Sequence, residues 1–413
     1  MRDYENDNGT MMLGGVSSVD IANRFGTPVY VTDEQIVREN YRSIYNAFAQ
    51  YMPTEVHYAC KANTNLAILS ILNQEGSHID AVSIGEVLTC LRAGFPAERI
   101  MYTGVNVSDE ELAQVVATGC RINVDSLSEL ERLAKITTDI PISFRITPGV
   151  SSGHSARVMT GGKGSKFGIP MDDVIGAYAR AKDLGFELKG IHAHTGSGGL
   201  TTDPFTDVVD VLCETVNRIE EEVNVKLEFL DFGGGFKVPY KPDEERVDYA
   251  AMGAEITELF TGFCKKYGKE LAMKFEPGKY IVAESGVMLT TVNTLKFNRT
   301  RTIAGCDAGF PQLIRPVFYG AYHRVENLSN PEGVLKVYDV CGNICETGDR
   351  FAEQRELPEI REYDVLGIFN AGAYCYSMGG IYNLRSMPAE VVISGGKAAL
   401  SRKRKSNIYL VSE

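Results

Sequence analysis

Four short stretches of the chain carry residue types that can do chemistry. Lys61 follows an apolar, extended run from Val56 to Ala59 and precedes small and amide residues, with a helical pattern from Leu66. A lysine at the C-terminal lip of a buried strand is partly desolvated, so its amine can lose a proton and condense with an aldehyde. In His192-Ala193-His194-Thr195-Gly196-Ser197, alternation puts both imidazoles on one face of a strand, with a hydroxyl just past its end. Asp231-Phe232-Gly233-Gly234-Gly235 bares backbone N–H groups that can cradle a phosphate. Glu276-Pro277-Gly278-Lys279 sets a carboxylate where it can hold a ring nitrogen protonated. Each stretch also has a plain structural reading: a surface lysine, a core histidine, a tight turn, an ion-paired glutamate. Metal binding by His192 and His194 lacks a third ligand at metal spacing, so a flat His194 ring stacking on a flat cofactor is the better reading.

The elements that position these groups follow a rhythm. Short apolar strands are expected at 55–59, 78–82, 99–103, 121–124, 142–146, 189–193, 228–231 and 272–275. Helical patterns lie between them at 66–74, 84–92, 109–118, 127–136, 171–184, 204–223 and 249–267. Eight strands alternating with helices specify an α/β fold, a (β/α)8 TIM-like barrel. The alternative, a doubly wound open sheet, usually carries G-x-G-x-x-G after its first strand, and none stands there. A barrel keeps its chemistry at the C-terminal ends of its strands. Reading those ends in order gives Lys61, Asp80, Arg145, His194, Gly233-Gly234-Gly235 and Glu276. An amine, an anion cup, a ring-nitrogen partner and a stacking ring together match pyridoxal 5′-phosphate.

Beyond residue 281 the texture changes to strands, expected at 287–296, 302–306, 334–340, 364–369, 389–393 and 408–411. The domains expected are a barrel over 28–280 and a mixed β domain built from 1–27 and 281–413. Residues 1–27 read as irregular apart from a short helix near 19–25, and a helix is expected at 35–49. With 44% apolar and 23% charged residues, the 413-residue chain reads as a soluble globular protein. A net charge of −12 argues against nucleic acid as a partner, and no apolar run approaches the length of a membrane span. Nine scattered cysteines with no CxxC pair, and a polar start without a signal-peptide core, point to a cytoplasmic setting. The basic run Arg402-Lys403-Arg404-Lys405 reads as a solvated edge strand or turn.

The motifs around Lys61, His194, Gly235 and Glu276 resemble those of the fold-type III pyridoxal-phosphate decarboxylases. Three more are similar to the diaminopimelate decarboxylase family: Asp307 to Tyr319, Gly342 to Asp349, and Ala371 to Met378. So is Met159 to Gly168, which resembles that family's active-site loop. The resemblance covers about residues 27–412. It implies that Lys61 carries the cofactor and His194 stacks on its ring. It also implies that Ser197, Gly235, the backbone from Glu276 to Gly278, and Tyr374 hold the phosphate and Glu276 the ring nitrogen; Asp80, Arg145 and Gly234, read from the strand ends, are expected at the cofactor with them. Arg315, Tyr319, Glu346, Lys279 and Tyr374 would contact the substrate, and Cys345 would protonate the carbanion left by CO2. The family is a homodimer whose active sites are shared, with Cys345 and Glu346 reaching the neighbouring subunit. Physics agrees at Arg315: a guanidinium grips a distal carboxylate with two parallel hydrogen bonds, which a plain diamine precursor would not need. The chain departs from the family's usual residues at Lys279, where arginine is usual, and at Asn343, where proline is. Lysine keeps the charge but loses the fork. Other readings are decarboxylation of a related amino acid, a catalytically silent regulator, and an amino-acid racemase.

Overall fold

The computed structural model describes residues 6–7, 9–149, 162, 164–194, 196 and 201–412. They form two compact units, one within 40–237 and 247–278, the other within 1–39, 238–246 and 279–413.

The first unit is the barrel. Its strands are β1 (Thr54–Ala59), β2 (His78–Ala81), β3 (Ile100–Tyr102), β4 (Arg121–Val124), β5 (Pro141–Thr147), β6 (Glu187–Ala193), β7 (Phe229–Asp231) and β8 (Ala272–Phe275). Each pairs in parallel with the next. β8 returns to β1 with Met273 opposite Thr54, so the sheet closes and leaves no edge. Helices Leu66–Gln74, Ile84–Arg92, Asp109–Thr118, Leu127–Ala134, Val174–Asp183, Thr202–Val223 and Tyr249–Tyr267 lie between strands.

The chain writes the helix starts plainly. Ser83, Ser108 and Ser126 each accept the backbone N–H of a glutamate three residues on, at 3.1–3.2 Å. This S-x-x-E pattern stabilises each start by about 1 kcal/mol. Phe48, Phe205 and Phe232 pack with Phe275 of β8 in edge-to-face, tilted and stacked pairs, with centroids 4.3–6.3 Å apart. The barrel strands themselves bury an unusual run of polar side chains: His57, Asp80, Asn123, Ser143, Arg145, His192, Asp231 and Lys274. Branched aliphatics normally fill a barrel, so these positions mark where the fold has been given over to chemistry.

The second unit is a mixed sheet. Strand Gly286–Asn298 pairs antiparallel with Arg301–Cys306, Val365–Ile368 and Val29–Asp33. Val29–Asp33 in turn runs parallel to Ala389–Ser394. The expected domain boundary therefore shifts. Val29–Asp33, inside the 28–280 range expected for the barrel, belongs to this sheet, with residues 29–32 all buried, as a central strand covered on both faces requires. Residues 238–246 also group here.

Three further differences have physical causes. Residues 408–411, expected as a strand, lie in helix Asn407–Ser412, where the Ser406 carbonyl accepts the Leu410 N–H at 3.3 Å. A short apolar run has too few residues for periodicity to choose helix or strand. Strand Arg350–Pro358 escaped notice because its middle is charged and exposed, as suits an edge strand. Residues 10–17, expected as irregular, form a hairpin of Thr10–Leu13 and Val16–Ser17. The basic run is not all solvated either. Arg402 pairs with Glu390 at 2.9 Å, and half-buried Arg404 donates to the Pro28 carbonyl at 2.5 Å.

Candidate active site

β1 ends at Ala59, and a single 3-10 turn, Cys60–Ala62, carries Lys61 onto the rim. Its ammonium lies 2.8 Å from Asp80 Oδ2 at the end of β2, a carboxylate with no exposure at all. The Thr103 hydroxyl donates to the other Asp80 oxygen. Asp80 thus holds the amine in place by a charge-assisted bond, while the Lys61 side chain stays 39% exposed.

The turn after β7 is shaped by its glycines. Gly233 has φ +68°, and a side chain there would come within 2.6 Å of His194 Nδ1. A side chain on Gly234 would come within 2.6 Å of the Glu276 carbonyl. The Gly234 N–H is spent on His194 Nδ1 at 3.0 Å, which fixes that ring's orientation. A side chain on Gly278 would crowd Ala59 and Ala62, next to Lys61. Arg145 is buried with its guanidinium 4.4 Å from the centre of the Phe167 ring. Ser197, and residues 159–161 and 163 of the expected active-site loop, lie outside the described residues.

Electrostatics sort these groups. Burial, then the Arg145 charge, pushes His194 down to about 3, so its imidazole is neutral at physiological pH. Burial opposes charge on Glu276, but His192, Lys61 and His194 outweigh it and hold the carboxyl well below the usual range. Burial, reinforced by Glu276, pushes Asp231 up to about 6. Glu276 is an anion whose Oε2 lies 3.3 Å from His192 Nε2 and whose buried Oε1 has no hydrogen-bond partner among the described residues. A buried carboxylate oxygen left unpaired is costly. It fits a ring N–H brought by a ligand. The expectation that no third metal-type ligand stands near His192 is corrected: His192, Asp231 and Glu276 bring ligand-type atoms within 4.8 Å of one another.

The second unit holds another set. Arg315 is 4% exposed and Lys279 7% exposed. The Tyr240 ring lies 4.9 Å from the Arg315 guanidinium and 6.0 Å from the Lys279 ammonium. Tyr319 lies 5.9 Å from the same guanidinium. His323 Nε2 accepts from Arg315 Nε at 3.4 Å. Among the described residues neither cation has a carboxylate within ion-pair distance. Burial, then the Arg315 charge, pushes Lys279 down to about 7. Two buried like charges without a counter-ion make a place for an anion. On the same unit Cys345 and Glu346 are exposed. Asn383 Oδ1 accepts from the Cys345 N–H at 3.2 Å, and the Tyr382 hydroxyl donates to Glu346 at 2.9 Å. Buried Asp349 accepts from the Ile344 and Phe310 N–H groups and so shapes this turn.

Sequence reasoning missed Thr103, Asn123, Ser143, Tyr240 and His323. A polar residue inside an apolar strand (Asn123, Ser143) was the available signal.

Barrel, rim lysine and glycine turn define a class, the pyridoxal-dependent enzymes. A family model described as the pyridoxal-binding domain of pyridoxal-dependent decarboxylases matches residues 34–283. A diaminopimelate decarboxylase from Methanothermobacter thermautotrophicus is 48% identical over 97% of this chain and 94% of its own length. One from Pseudomonas fluorescens is 37% identical over 96% of this chain and 95% of its own. The crystal structure of diaminopimelate decarboxylase from M. jannaschii superposes with a TM-score of 0.92 at 30% identity, covering 99% of this chain and 97% of that one. The chain belongs to the diaminopimelate decarboxylase family of pyridoxal-dependent decarboxylases, and pyridoxal 5′-phosphate is its cofactor. No helix among the described residues is long and apolar enough to cross a membrane.

Proposed function

We propose that this chain converts meso-2,6-diaminopimelate to L-lysine and CO2, the last step of lysine biosynthesis, in the cytoplasm. The observation that carries this reading is the pair of buried cations, Arg315 and Lys279, with no carboxylate partner among the described residues. Diaminopimelate brings a carboxylate at its far end; ornithine, arginine and lysine bring only a cation there. Arg315 grips that distal carboxylate, with Lys279 and Tyr319 beside it, and Glu346 pairs with the distal ammonium.

Pyridoxal phosphate, when bound, supplies an aldehyde and an electron-accepting ring. Lys61 is its covalent attachment, held ready by Asp80. Glu276 Oε1 would accept the ring N–H, and His194, kept neutral by burial and then by the Arg145 charge, would stack on the ring. The backbone at Gly235 and Gly278, with Ser197 and Tyr374, would hold the phosphate, while Gly234, expected at the cofactor too, gives its N–H to His194 instead. Cys345 delivers a proton to the carbon that lost CO2. The exposure of Cys345 and Glu346 on a turn flanked by exposed Ile381, Tyr382 and Leu384 supports a homodimer in which this turn enters the partner's site.

The test is CO2 release from diaminopimelate, ornithine, lysine and arginine side by side. Release from diaminopimelate alone is expected. Release from another of the four and none from diaminopimelate would move the chain to a related amino acid in another pathway.

A further inference from the structure

Behind Glu276 runs a string of buried polar side chains that the function proposed above does not use. The Ser143 hydroxyl on β5 donates to Asn123 Oδ1 on β4 at 2.7 Å. Asn123 Nδ2 lies 2.9 Å from His192 Nδ1 on β6. Ser143, Asn123 and His192 are 2%, 1% and 2% exposed, so neighbours rather than water fix each proton.

Donors and acceptors can be assigned from the serine end. A side-chain amide has one accepting and one donating side. With Oδ1 taken by the hydroxyl, Asn123 turns an N–H toward His192. Nδ1 therefore accepts, and the proton of the neutral imidazole sits on Nε2, facing Glu276 Oε2 at 3.3 Å. A second arrangement is equally complete. An imidazolium needs an acceptor at Nδ1, which Asn123 supplies only by turning over, giving its N–H to the serine oxygen. The two states differ by one proton on Nδ1. The charged and titratable groups that act on His192 are Glu276, Asp231 and Asp125 on one side and Arg145 and His194 on the other. Burial opposes the imidazolium, but the carboxylates outweigh it and raise this histidine above its ordinary value. Both states are therefore within reach.

We propose that Asn123 is a positioning residue: its amide, oriented by Ser143, sets which nitrogen of His192 carries the proton and so how much negative charge Glu276 keeps for a ring nitrogen. The last step rests on the role given to Glu276 above; the choice of tautomer does not.

Histidine-selective 15N labelling of the full chain, with and without pyridoxal phosphate, reads all six imidazoles. His192→Gln identifies the signal. In its neutral form, above its titration, wild-type His192 is expected to carry its proton on Nε2 with Nδ1 bare. Ser143→Ala frees the amide to turn over and is expected to raise the Nδ1-protonated share roughly tenfold, the effect of one lost hydrogen bond. Asn123→Asp presents acceptors only and is expected to move the His192 titration upward by about one pH unit or more. A neutral wild-type ring with its proton on Nδ1, or a His192 signal unmoved in the variants, overturns the proposal. Ser143→Ala decides alone where Asn123→Asp fails to fold. A merely structural role for Asn123 would lower the melting temperature and leave the tautomer as it is. Loss of CO2 release from diaminopimelate would count against the proposed function while these spectra stood unchanged.

Discussion

Lys279 is the residue where this chain's own chemistry departs from the arginine usual at that place. Burial and Arg315 push its ammonium down to about 7, so near neutrality it is charged only part of the time. A depressed lysine is protonated below its folded value and neutral above it. Its share in gripping a carboxylate is thus full below pH 7 and is lost as pH rises. The apparent KM for diaminopimelate is expected to climb above neutrality, by up to roughly tenfold per pH unit if Lys279 dominates. Lys279→Arg, charged at every working pH, should flatten that slope. Equal slopes in the two proteins would remove Lys279 from substrate binding. At this scale the sequence was readable where residue type and strand-end position coincide, as at Lys61, Gly233–Gly235 and Glu276. It did not single out Asn123 and Ser143, whose only signal is a polar type inside an apolar strand, nor Thr103 just past a strand end. Their partners come from neighbouring strands 20 or more residues away, and only a closed sheet sets them side by side.

The elements carry predictions that depend on backbone space. Gly253 in helix Tyr249–Tyr267 lies so close to the Ala47 carbonyl that a methyl there would overlap it. Gly253→Ala is expected to cost about 1–3 kcal/mol, read as a lower urea midpoint for the barrel unit. Gly176 in helix Val174–Asp183 has nothing within 4 Å of where a methyl would go. Gly176→Ala should gain about 0.5–1 kcal/mol by the same measurement. An unchanged midpoint for Gly253→Ala would show that the helices do not meet at this point. Strong period and a cap made elements legible: helices 66–74, 84–92, 109–118 and 249–267 stand where the sequence puts them. Strand Arg350–Pro358 was illegible because its middle is charged and exposed, and helix Asn407–Ser412 because six residues are too few for periodicity to choose helix or strand.

For the whole molecule, the proposed sharing of sites makes a sharp demand. Lys61→Ala and Cys345→Ala would each be nearly inactive alone. Unfolded together and refolded as a mixture, they should recover about a quarter of wild-type turnover, since half the dimers are mixed and each of those holds one intact site. No recovery, with dimers present by light scattering, would confine each site to one chain.

Val29–Asp33 has one further consequence. It is hydrogen-bonded to Ala389–Ser394, with Ala389 opposite Val29, a separation of 389 − 29 = 360 residues. A ribosome therefore delivers this apolar strand long before its partner exists. Until the last stretch emerges, Val29 to Val31 must be shielded by something other than the finished sheet, and messages cut short before codon 389 should yield a sticky, chaperone-bound product.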